Sequence, residues 1–129
     1  MSVYLDTSAA AKLLVDETES DALTAYLDEA GAERDLVSSA LLETELRRLA
    51  VRLGLDQLAV TDLLARVDLV DPPRSLFHEA GLLPGPHLRS LDALHLATAL
   101  RVDADTLIAY DARLLDAARS LGLRVHSPA

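Results

Sequence analysis

The chain has no cysteine, no tryptophan and a single lysine, Lys12. Without thiols it can hold no disulfide, zinc ribbon or cysteine nucleophile. Tyr4, Tyr26, Phe77 and Tyr110 are its only aromatic residues, too few to build a base-stacking platform. Its apolar runs fall far short of the roughly 18 residues that a membrane span needs. The N-terminus, Met1-Ser2-Val3-Tyr4-Leu5-Asp6, has no basic region and reaches an acid at once, so no export signal is expected. Bases are scarce as well: 12 Lys and Arg stand against 21 Asp and Glu, a formal charge of −9. That balance disfavours non-specific binding to nucleic acid or to an anionic membrane.

What is present is a chain of 129 residues, 50% of them hydrophobic, which suits one domain over 1–129 with a core of its own. That apolar share excludes a disordered acidic chain. A soluble, cytoplasmic protein is expected, and its excess acid is either solvated surface or a site.

Along the chain, strand-like and helix-like segments alternate. Val3 to Asp6 is a short β-branched and aromatic run ending in an acid. Thr7-Ser8 opens an Ala-rich helical stretch to Val15, and Thr18-Glu19-Ser20-Asp21 precedes a helix from Ala22 to Ala30 stopped by Gly31. Leu36-Val37-Ser38 reads as a second strand. Ser39 is placed to cap a helix from Ala40 to Leu53, closed by Gly54, and Asp56 to cap another from Gln57 to Arg66. Val67 to Val70 reads as an edge strand ended by Pro72-Pro73. After a short helix from Ser75 to Leu83, the Pro84-Gly85-Pro86 loop leads to Ser90, read as the cap of a largely buried helix, Leu91 to Val102. Thr106 to Tyr110 is the next strand, Ala112 to Leu121 a helix, and Leu123-Arg124-Val125 the last strand. The alternation predicts an α/β fold of three layers, with a mostly parallel central sheet of about five strands flanked by helices. Ligand sites in such sheets lie at the carboxyl ends of the strands, near a switch in strand order.

Two acids occupy that kind of place, Asp6 after the first strand and Asp111 directly after the fourth. Either could simply cap the helix that follows. Asp92 lies in the first turn of the buried helix, where the helix dipole favours an acid, yet no Lys or Arg follows it within two turns. A buried carboxylate without a partner is costly, so something else is needed to hold its charge. On the third helix, Glu43 and Glu45 are about 200° apart. Glu45 borders the apolar stripe Leu42, Leu46, Leu49, Leu53 and faces inward, whereas Glu43 stands four residues before Arg47, as on a solvated face. Inward carboxylates with no lysine beside them suit a hard divalent cation, Mg2+ or Mn2+, which activates water and stabilises charge on phosphoryl oxygens.

Val3-Tyr4-Leu5-Asp6-Thr7-Ser8-Ala9 and Val37-Ser38-Ser39, with an acid on the helix after them, resemble the opening half of PIN-domain nucleases. Leu88-Arg89-Ser90-Leu91-Asp92-Ala93-Leu94-His95-Leu96-Ala97 and Ile108-Ala109-Tyr110-Asp111-Ala112-Arg113-Leu114 resemble its second half. The likeness runs from about Val3 to Val125, and such compactness is similar to VapC-type toxins of bacterial toxin–antitoxin pairs. It implies a single PIN-like domain whose catalytic acids are Asp6, Glu45, Asp92 and Asp111, with Asp6 and Asp92 as metal ligands. The family's glutamate stands six residues after the serine that follows the second strand, which fits Ser39 and Glu45. Thr7 or Ser8 is a candidate to add a hydroxyl near the metal. The resemblance further implies a Mg2+- or Mn2+-dependent endoribonuclease acting on tRNA or rRNA, a homodimer, and inhibition by a VapB-type antitoxin.

His95 reads as a hydrogen-bonded core histidine more readily than as a general base. Arg47, Arg48 and Arg52 form a basic face, while Arg89 and Arg113 flank Asp92 and Asp111 as candidate phosphate contacts. His78, His87 and His126 are scattered, with no metal-ligand spacing. Two other classes fit parts of the pattern. A phosphoryl-transfer module also uses an Asp after an early strand, but a receiver needs a late lysine where there is none, and a phosphatase needs a second Asp where Ser8 stands. A non-catalytic binding module would leave all four acids as caps and surface.

Overall fold

The pleat of one short strand sets the layers of the molecule. In the computed structural model, which describes residues 2–32 and 34–129, the first strand is β1 (Ser2–Leu5). Met1, counted above in the N-terminal reading, lies outside the described residues, as does Glu33. Successive side chains of a strand point to opposite faces. Val3 and Leu5 therefore enter one core, with Ala9, Leu23, Leu42, Leu46 and Val60. Tyr4 enters the other, with Leu96, Leu107 and Leu114. All three side chains are fully buried, as a central strand covered on both faces requires.

The remaining strands are β2 (Asp35–Ser39), β3 (Asp68–Val70), β4 (Thr106–Ile108) and β5 (Val125–His126). They pair in the order β3-β2-β1-β4-β5, and every pairing is parallel. The sheet expected to be mostly parallel is parallel throughout. One core carries α1 (Thr7–Leu14), α2 (Ser20–Gly31), α3 (Leu41–Leu53) and α4 (Gln57–Leu64). The opposite face carries α6 (Ser90–Arg101) and α7 (Ala112–Ser120), with α5 (Arg74–Gly81) packed on α6 through Leu76, Ala80, Ala93 and Ala97. Among the described residues no helix is long and apolar enough to cross a membrane.

Several local expectations shift. The last strand, expected over Leu123 to Val125, is found at Val125–His126, and Ser39 ends β2 while Ala40 takes the cap position of α3, although Ser39 Oγ still accepts from the Leu41 amide at 3.1 Å. The strand expected to reach Tyr110 ends at Ile108, because the Tyr110 amide turns away to donate to Ser8 Oγ at 2.9 Å; Asp111 thus follows β4 after two intervening residues. Ser90 is the first residue of α6 and not its cap. The helix starts one residue early, with the Ala93 amide donating to the Arg89 carbonyl at 2.8 Å, and Arg89 at the cap position provides no side-chain bond. The buried stripe of α3 runs Leu42, Leu46, Ala50, so Leu53 lies outside it and is 51% exposed. Steps of four keep residues on one helix face, whereas Leu53 closes the helix beside Gly54, whose φ of 69° ends it in the left-handed conformation that glycine adopts freely.

The chain steps outward from β1 to β2 and β3, then returns to β4 on the other side of β1. The carboxyl ends of β1 and β4 therefore form the switch point, the place where open parallel sheets bind ligands. Leu96 on α6 is fully buried in the core over this sheet, and Leu58 on α4 is 61% exposed. Leu96→Ala should lower unfolding free energy in urea by about 2–5 kcal/mol, and Leu58→Ala by no more than about 0.5 kcal/mol.

Candidate active site

Asp6 leaves β1 at the switch point. The ladder to β4 continues one step past the strand, as the Asp6 amide donates to the Ile108 carbonyl at 3.0 Å. Its side chain is only 3% exposed and caps α1, with Oδ2 accepting from the Ser8 amide at 3.1 Å and the Ser8 hydroxyl at 2.6 Å. Oδ1 takes no hydrogen bond among the described residues. None of their buried polar side-chain atoms lacks a partner, so Oδ1 reaches the surface of the rim. Asp111 caps α7 in the same manner, with Oδ1 accepting from the amides of Arg113 at 2.9 Å and Leu114 at 3.2 Å. Capping and a place on the rim are thus not alternatives. One oxygen serves the helix.

Asp92 is half-buried in the first turn of α6. Burial raises its pKa above the ordinary Asp value, and the negative charges of Asp111 and Asp6 raise it further. His95 and the Arg89 backbone amide pull it down by less. Carboxylates from two other segments therefore act on Asp92 at this rim. No Lys or Arg forms an ion pair with any of them among the described residues.

The fourth acid joins through His95, one helical turn beyond Asp92. The imidazole is 1% exposed and bonded on both nitrogens. Nδ1 lies 2.7 Å from Tyr4 Oη, and Nε2 lies 2.6 Å from Glu45 Oε1 and 3.2 Å from Thr7 Oγ1. Burial works to lower the His95 pKa, but the hydrogen bond to Glu45 and the charges of Asp6, Glu45 and Asp92 outweigh it and the net shift is upward. Tyr4 Oη also accepts from the Ser39 amide at 3.1 Å, and burial raises the phenol pKa well above its ordinary value.

The two glutamates of α3 face apart. Glu45 turns inward to His95, while Glu43 turns to solvent and pairs with Arg47 at 2.8 Å. Arg47 also bonds Gln57 and Thr61, which ties it to α4. Arg48 and Arg52 are exposed, as are Arg89 and Arg113 beside the rim. His126 packs against Tyr26 with ring centroids 4.8 Å apart. Tyr4 and the Ser39 amide are members of the site that the sequence did not reveal. A lone tyrosine in an aliphatic strand was the available signal, but its partner is 91 residues away. Among the described residues no three His, Asp or Glu side chains already stand as a closed metal cluster.

A carboxyl whose pKa is higher in the folded state adds stability below its unfolded value and loses it as pH rises through the folded value. Ionised Asp92 thus burdens the metal-free fold at neutral pH. Asp92→Asn should melt higher than the parent at pH 7, with the difference vanishing as pH falls below the ordinary Asp value of about 3.9. Calorimetric melts across that range provide the check.

The PIN domain family model matches residues 3–120. Ribonuclease VapC35 of Mycobacterium tuberculosis is 42% identical over 131 residues, covering 98% of this chain and 96% of its own. Ribonuclease VapC46 of the same organism is 43% identical over 130 residues, covering 98% of each. The crystal structure of VapBC2 from Rickettsia felis bound to a DNA fragment from their promoter gives a TM-score of 0.80 over 100% of both chains, at 16% identity. That of Mycobacterium tuberculosis VapC20, a sarcin-ricin loop cleaving toxin, gives 0.70 over 89% of this chain and 94% of its own, at 18% identity. At such identities these two structures speak for the fold alone, and the sequence relatives carry the assignment. The chain belongs to the PIN-domain family, among its VapC ribonucleases.

Proposed function

We propose that this protein is a Mg2+- or Mn2+-dependent endoribonuclease that cuts phosphodiester bonds in structured cellular RNA, tRNA or rRNA, in the cytoplasm. It works as one domain over residues 1–129, with Asp6, Glu45, Asp92 and Asp111 as its active centre. The observation that carries this reading is the repulsion of half-buried Asp92 by Asp6 and Asp111 at the switch point, with no cationic side chain paired to them among the described residues. Like charges gathered this way favour a bound cation. The donors are carboxylate and hydroxyl oxygens, and Oδ1 of Asp6 is free of the cap, which fits a hard divalent ion. Asp6 and Asp92 would hold it, and it would supply the positive charge that a phosphodiester and its attacking water need.

The chain's own groups provide the rest. Glu45, whose Oε1 is held by His95, keeps Oε2 to accept a proton from the attacking water. Arg89 and Arg113 bind phosphates on either side of the scissile bond, which an acidic protein needs for lack of other bases at the rim. The name ribonuclease on the sequence relatives supports RNA as substrate. The VapC name on the sequence relatives supports a VapB-type antitoxin as the neutralising partner, and the acids of the rim suit one that presents basic groups to them. A homodimer belongs to the same reading, and Phe77, Leu82 and Leu91, exposed around α5 and α6, offer apolar surface to it.

Asn at an N-cap preserves the helix bond while removing the charge. Asp6→Asn should therefore fold with little loss of stability yet cut tRNA or rRNA about 100-fold or more slowly than the parent. Asp92→Asn should lose cutting to a similar degree, and chelator should abolish the parent's activity. The assay uses antitoxin-free protein with Mg2+ or Mn2+. Absence of cutting across a broad RNA panel, together with no Mn2+ binding by calorimetry, would sink the reading.

A further inference from the structure

The buried hydrogen bonds around His95 have a direction. The Ser39 amide can only donate, and it gives its hydrogen to Tyr4 Oη. Tyr4 is fully buried and un-ionised, so its own hydrogen is left for His95 Nδ1, 2.7 Å away. A neutral imidazole that accepts at Nδ1 carries its hydrogen on Nε2. Nε2 faces Glu45 Oε1 at 2.6 Å, with Thr7 Oγ1 beside it at 3.2 Å. A second proton on the ring would leave Nε2 a donor, so Glu45 meets an N–H in either state.

Glu45 is a long side chain, 21% exposed, that would otherwise sample several rotamers at an open rim. We infer that His95 is a positioning residue for Glu45, with Tyr4 and the Ser39 amide setting the ring so that Nε2–H fixes one carboxylate oxygen and leaves the other toward the substrate. This inference rests on the proposal that Glu45 belongs to the active centre. It also accounts for a desolvated imidazole on a helix whose other buried residues are Ala93, Leu96, Ala97, Thr98 and Ala99, none of them titratable. A group that orients a reacting carboxylate acts on the chemical step more than on substrate binding.

The geometry separates two substitutions of similar size. Glutamine extends an amide N–H to about the position of Nε2 and can still serve Glu45, whereas asparagine reaches only the Nδ1 side and serves Tyr4. With antitoxin-free protein, Mg2+ and RNA, His95→Asn should lower kcat roughly 10–100-fold with KM unchanged, and His95→Gln should recover most of that loss. Equal kcat values for the two variants, or losses that simply follow their melting temperatures, would overturn the inference. A second readout needs neither metal nor RNA. Long-range proton–nitrogen NMR of the metal-free protein should show an Nε2–H with a far-downfield proton that moves upfield in Glu45→Gln, and an Nδ1–H tautomer would overturn the assignment. Should the parent protein cut no RNA across the panel and bind no Mn2+, the nuclease reading falls, while the spectrum alone still decides whether His95 holds Glu45.

Discussion

The His95 imidazole joins segments that the chain delivers from far apart. Through Tyr4 it grips β1, through Thr7 the start of α1, and through Glu45 the middle of α3. Asp6 sits between Tyr4 and Thr7, and Asp92 lies one turn before His95 on α6, so one buried ring relates three acid-bearing segments to each other. Such a network is tolerable in a core only when fully satisfied, because each unpaired polar group there costs about 1–3 kcal/mol. Among the described residues every buried polar side-chain atom has a partner. The rim inherits its geometry from that completeness.

Around this ring, stability and site are built from the same atoms. Asp6 and Asp111 each commit one oxygen to a helix start, and Ser8 links the two loops by donating to Asp6 and accepting from the Tyr110 amide. The caps hold the carboxylates still, while their charges weigh on Asp92. A fold selected only for stability would gain by neutralising one of the three. A carboxyl perturbed by its neighbours at a switch point, as Asp92 is, is what a reactive site produces, and it sets the direction in which a cation would shift the folded state.

The charge of −9 is distributed in keeping with this picture. The single lysine is occupied elsewhere: Lys12 pairs with Glu17 and Glu19 at 3.0 Å each and lies over the Tyr110 ring. Arg47 is tied to Glu43, Gln57 and Thr61. Among the described residues Asp6, Asp92 and Asp111 pair with no Lys or Arg, so on the nuclease reading a bound ion reverses the local sign before a phosphate arrives. Binding then depends on the ion, a few arginines and the shape of the RNA, with weak non-specific affinity.

Much of this was legible in the sequence because it is local. Period-2 and helical patterns, the Asp6 and Asp111 helix starts after the first and fourth strands and the paired prolines beyond Val70 act over a few residues, and they determined an α/β chain with parallel strands and helix starts at Asp6, Asp56 and Asp111. The opposite facing of Glu43 and Glu45 follows from the 100° step of a helix. The tertiary structure alone decided where α6 begins, where the buried stripe of α3 ends, and that Tyr4, Ser39, His95 and Glu45 form one chain of hydrogen bonds. Those contacts join residues 35 to 91 positions apart, brought together by the return of the chain from β3 to β4 across β1. Local pattern names the elements. Which buried donor meets which acceptor depends on how the layers stack, and no short stretch of sequence carries that.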